Sequence, residues 1–90
     1  MSGLTPRQSG LMSRLLVAEC VGAIRAHRGM SQGEVAGRLG ISQSQLSRAE
    51  RGHSALTVDQ LGALAEIFDV SLQDFFAPHR WLVDAGGLAR

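Results

Sequence analysis

Apolar residues recur at helical spacing in two runs of this chain. Leu11, Leu15, Val17, Ala18, Val21 and Ile24 form the first, which ends near Arg28-Gly29 with arginines where a helix dipole favours cations. Val58, Leu61, Leu64, Ala65, Ile67 and Phe68 form the second. Between them lie two short segments, each with its own start signal. Ser31 is followed three residues later by Glu34, and Ser42 in the same way by Gln45. This is the capping-box spacing, in which a hydroxyl and a third-residue side chain satisfy otherwise orphaned backbone N–H groups. Gly40 falls where the first of the two segments must stop, in the left-handed conformation that glycine adopts without a Cβ clash. Thr57-x-x-Gln60 opens the second apolar run, and Ser71-x-x-Asp74 opens a last short helix stopped by Pro78. No period-two alternation runs long enough to suggest a sheet. The pattern predicts an all-α, compact five-helix domain with helices at about 11–28, 32–39, 43–51, 57–68 and 71–76.

The start of the first helix has two readings. Thr5-Pro6-Arg7-Gln8 has the form of a cap, an N1 proline and a capping-box glutamine, whereas Gly10 interrupts the run that follows. Residues 1–10 are therefore an N-terminal arm or an extension of helix one, residues 11–77 the domain, and residues 78–90 a C-terminal tail.

Helix 43–51 has few apolar positions and must lie on a core with its polar face outward. At about 100° per residue, Gln43, Ser44, Ser47, Arg48 and Arg51 share an arc of roughly 140°, with Leu46, Ala49, Gln45 and Glu50 on the other side. The outward arc carries two guanidiniums, an amide and two hydroxyls, and no carboxylate. Arginine suits bidentate contact with guanine and glutamine suits adenine in the major groove, while serine is permissive. A tight pair of capped helices with such a second member is the usual sequence form of a helix-turn-helix DNA reader.

From about Val21 to Phe76, including GMSQGEVAGRLGISQSQLSRAERG and IFDVSLQDFF, the chain resembles the XRE family of Cro-like and phage-repressor-like helix-turn-helix regulators. The resemblance implies a lambda-repressor-like fold and a sequence-specific regulator of transcription, a homodimeric repressor that reads an inverted repeat in double-stranded DNA. It assigns base reading to Gln43, Ser44, Ser47 and Arg48. Gln32 matches a glutamine that contacts a phosphate and braces the third helix, and Ser42, Arg51 and His53 join it as phosphate contacts. Arg25 and Glu50 match a largely buried structural ion pair. Two positions depart from the family pattern, Ala49 where a larger apolar residue is common and Arg28 where the site is often apolar.

Charge adds a direction to this picture. The net charge is only +1, yet residues 1–51 hold seven arginines against three glutamates, +4, and residues 52–90 hold two arginines against five acidic residues, −3. The basic half contains the helix pair. All four aromatics lie in the last third, and Phe76, Trp81, Leu82 and Val83 are candidates for dimer contact or for contact with another protein, as in an antitoxin or anti-regulator of the same fold.

Other chemistries find no support in the residues. The apolar stretch around Leu15 to Ile24 is too short for a membrane span and holds Glu19, so a cytoplasmic protein is expected. Cys20 is a single cysteine in the first helix and reads as a small buried hydrophobe. His27, His53 and His79 stand 26 residues apart, without metal-ligand spacing. No nucleophilic triad, phosphate loop or dinucleotide fingerprint is present, so neither an enzyme nor a cofactor is expected.

Overall fold

The computed structural model describes residues 3–77. The described chain forms four α-helices and a closing 3-10 turn: α1 Pro6–His27, α2 Gln32–Leu39, α3 Gln43–Glu50, α4 Val58–Phe68 and η1 Leu72–Phe76. No strand occurs among the described residues. The expected fifth helix is thus a single 3-10 turn, since five residues between the Ser71 cap and the extended Ala77 leave no room for α-helical propagation.

Helix one takes the longer of its two readings. Thr5 caps it, its hydroxyl accepting from the Gln8 N–H at 3.2 Å while its own N–H donates to Gln8 Oε1 at 2.9 Å, with Pro6 in the first turn. A complete capping box outweighs the roughly 1 kcal/mol that Gly10 costs inside a helix. The expected helix 11–28 therefore begins at Pro6, and Arg28 is its cap. Arg51 likewise caps α3, and Thr57 is the N-cap of α4. Reciprocal boxes also form at Ser42/Gln45, Thr57/Gln60 and Ser71/Asp74. At Ser31 only half of the expected box is present: the hydroxyl accepts from the Glu34 N–H at 3.0 Å. Gly40 adopts φ 80°, ψ 26°, and ends α2 with the left-handed turn that aims α3.

The core is built from every helix. Val21, Ile24, Val35, Leu46, Leu64, Phe68 and Phe75 are fully buried. Phe68 and Phe75 meet edge-on, with centroids 6.3 Å apart, which ties η1 to α4. α1 packs on α3 and η1, and α2 on α3 and α4. Two parts of the apolar pattern lie outside this core. Val58 occupies the first turn of α4 and is 74% exposed, and Leu11 and Leu15 on α1 are 44% and 41% exposed, although Leu15 lies beside Gly52. The two unusual residues also find their places. Ala49 is buried, and half-buried Arg28 donates from Nε to the Phe68 carbonyl at 2.8 Å, satisfying an orphan acceptor at the end of α4.

Candidate nucleic-acid interface

The amino-terminal ends of α2 and α3 are fixed by their caps, and a buried ionic contact fixes α3 from behind. Arg25 on α1 meets Glu50 in a bidentate pair, Nε to Oε2 at 2.6 Å and Nη2 to Oε1 at 3.0 Å. The two side chains are 18% and 8% exposed. Arg25 Nη1 donates further to the Met30 carbonyl at 2.8 Å, and Gln32 Nε2 donates to Glu50 Oε1 at 3.0 Å. Donation to the Glu50 carboxylate holds the Arg25 guanidinium pKa above its ordinary range, so it stays charged. One carboxylate therefore joins α1, α2 and α3. Gly22 on α1 faces this carboxylate, and a Cβ there would stand in ordinary contact with it, 3.4 Å from Glu50 Oε1.

On the opposite side of α3, Gln32, Gln43, Ser44, Ser47, Arg48, Arg51 and His53 line one shallow surface concavity. Seven of the eight residues expected to face DNA bases or phosphates are thus gathered in one place. No carboxylate lines it. Ser42 stands outside the concavity, where its hydroxyl accepts from the Gln45 N–H at 3.1 Å and its N–H donates to Gln45 Oε1 at 2.8 Å. Ser47 and Arg51 are not independent, since Arg51 Nη1 donates to Ser47 Oγ at 2.5 Å across one helical turn. Arg48 and Gln43 are exposed. Of the residues expected at a dimer contact, Phe76 is 52% exposed, and Trp81, Leu82 and Val83 lie outside the described residues.

Two positions of the site carry no sequence signal. Gly33 of α2 faces the Gln43 side chain across the turn, and a Cβ there would lie in ordinary contact, 3.6 Å from Gln43 Oε1. Gly22 faces Glu50 in the same way. A glycine inside a helical run shows its use only when the facing helix is known. Among the described residues no group of three His, Cys, Asp or Glu side chains is placed to hold a metal ion, and no helix is long and apolar enough to cross a membrane.

A helix-turn-helix family model matches residues 21–75, the span that holds the concavity and the buried pair. An uncharacterized HTH-type transcriptional regulator of Sinorhizobium fredii is 38% identical over 65 residues, covering 72% of this chain and 84% of that protein. The chain belongs to the helix-turn-helix family, in its XRE branch. The fold is similar to that of an HTH_3 family transcriptional regulator from Vibrio cholerae, with a TM-score of 0.69 and 29% identity over 83% of this chain and 42% of that one. A cyanate hydratase of Methylibium petroleiphilum is 36% identical over 72 residues, 80% of this chain. The chain spans only 46% of that relative's length.

Proposed function

We propose that this protein is a sequence-specific, double-stranded-DNA-binding regulator of transcription, a homodimer whose two copies of α3 enter successive major grooves of an inverted repeat and repress by occupying it. The observation that carries this reading is the carboxylate-free concavity shared by α2, α3 and the residues after α3. In it, Gln43, Ser44, Ser47 and Arg48 read base edges, and Gln32, Arg51 and His53 meet phosphates beside the capping residue Ser42. The basic charge of residues 1–51 orients this side toward the duplex. Half-sites lie about one helical turn apart.

In vitro selection of bound DNA tests the reading directly, since it returns sequence, symmetry and spacing together. On the selected site, Arg48→Ala should cost about 1–3 kcal/mol and relax one base position, whereas Gln32→Ala should weaken all sequences alike. Unchanged sequence preference in Arg48→Ala would refute the base-reading assignment. A second reading, a protein-interaction module, draws on the cyanate hydratase match, in which the same segment is less than half of a larger protein. Selection that returns no preferred sequence would favour it.

A further inference from the structure

Serine is the least committed of the side chains on the outward face of α3, since a hydroxyl carries one donor hydrogen and two acceptor lone pairs. Set against a base edge it meets a donor or an acceptor equally well, and by itself it selects neither. Ser47 is not left by itself. Arg51 Nη1 donates to Ser47 Oγ at 2.5 Å from one turn further along α3. Both residues line the polar concavity, Ser47 half-buried and Arg51 exposed. No carboxylate lines that concavity to draw the guanidinium away from the hydroxyl.

We propose that Arg51 is a positioning residue that fixes the polarity of Ser47: with one lone pair taken by a guanidinium, Ser47 meets the major groove as a donor, and the base it faces must offer an acceptor. This inference rests on the DNA-binding reading of α3 and deepens it. Two effects act in the same direction. The Arg51 N–H occupies Oγ and turns the hydroxyl hydrogen away from Arg51. The positive charge beside Oγ also weakens its remaining lone pair as an acceptor and strengthens the O–H as a donor. In the major groove guanine N7 and O6, adenine N7 and thymine O4 accept, whereas cytosine presents only the donor amine at N4. Cytosine is therefore the base excluded, and guanine, with two acceptors, the base favoured. The remaining N–H groups of the guanidinium still serve the phosphate contact, so both roles fit one side chain. Arg51 thus shapes sequence preference without touching a base.

Binding constants of the full chain on the operator returned by in vitro selection, and on its single-base variants, test the proposal. Ser47→Ala marks the position that Ser47 reads, as the one whose base ratios it alters. There the unsubstituted chain should bind guanine about tenfold more tightly than cytosine, the scale of one hydrogen bond made or left unmade. Arg51→Met keeps an aliphatic stem and removes every donor, and should bring that ratio to within about twofold while ratios at other positions hold. A lost phosphate contact weakens all sequences together, so this ratio does not respond to it. Arg51 is exposed at the C-cap of α3, and circular dichroism should show the variant folded. Cytosine bound as well as guanine by the unsubstituted chain overturns the proposal. So does an Arg51→Met variant that is weaker on every sequence with the guanine-to-cytosine ratio intact; in both cases the DNA-binding reading stands. Selection that returns no sequence, or a Ser47→Ala variant that alters no ratio, overturns base reading by Ser47 and the proposal with it.

Discussion

Glu50→Ala should be among the most damaging single substitutions in this domain, although it removes no core hydrophobe. The Glu50 side chain is 8% exposed and accepts from Arg25 Nε, Arg25 Nη2 and Gln32 Nε2. Truncation deletes all three acceptances. It leaves a guanidinium that is 18% exposed with one remaining hydrogen bond, to the Met30 carbonyl. A buried pair broken on one side costs about 3–5 kcal/mol, because the surviving charge stays desolvated without compensation. For a domain of this size each kcal/mol lowers the melting temperature by about 4–8 °C, so a drop of at least about 12 °C is expected. Thermal unfolding followed by circular dichroism measures it. The cause is tested by a second variant, Arg25→Met with Glu50→Leu, which removes both charges and should recover most of the loss. A Glu50→Ala cost below about 1 kcal/mol, or a double variant no more stable than the single one, would show that water reaches Arg25 and that the pair is not what holds α3.

Three further expectations follow from single positions. Gly40→Ala and Gly52→Ala should each cost about 1–2 kcal/mol in chemical denaturation, since both residues have left-handed backbone, φ 80° and 77°. A Cβ at Gly52 also runs into the end of the Leu15 side chain, but Leu15 is 41% exposed and can rotate away, so the two costs should differ by less than about 1 kcal/mol. Ser42→Ala should cost about 1 kcal/mol by the same assay, because it removes the cap that satisfies the first turn of α3. Burial, then the charges of Glu19 and Asp74, hold the Cys20 thiol above its ordinary pKa of 9.0. A folded-state pKa above the unfolded one means that stability is level below the ordinary thiol range and falls as pH rises through and above it. Cys20→Ala should remove that part of the alkaline loss, read from denaturation midpoints across the range.

The caps were the most legible part of the fold, because the side chain and the N–H groups it serves lie within three residues of each other. Ser42, Thr57 and Ser71 each begin an element as their spacing predicts. Glu34 shows the limit: the spacing is right at Ser31, but the reciprocal contact needs a rotamer that sequence does not dictate. The start of α1 was legible only as two alternatives, and the completed Thr5–Gln8 box decides between them. Helical periodicity identified Leu11, Leu15 and Val58 as apolar members of helices, yet periodicity does not say how much of each the neighbouring elements cover. Phe68 is buried as its place in the periodic run implies, and of the adjacent Phe75 and Phe76 it is Phe75 that is buried. The Arg28 contact with the Phe68 carbonyl spans 40 residues and has no local sign.

The bare position at Gly22 bears on how such a protein changes over time. A side chain longer than alanine's there would press on the carboxylate that anchors α3, although position 22 is not among the residues lining the polar concavity. In the proposed complex the angle at which α3 meets the duplex is therefore inherited partly from a helix that lies behind it. A screen for lost operator binding should return variants at position 22 together with those at Arg48. The two kinds would separate by compensation: a weakened α1 notch is relieved by a shorter acid at position 50, and a lost base contact is relieved only by a changed operator.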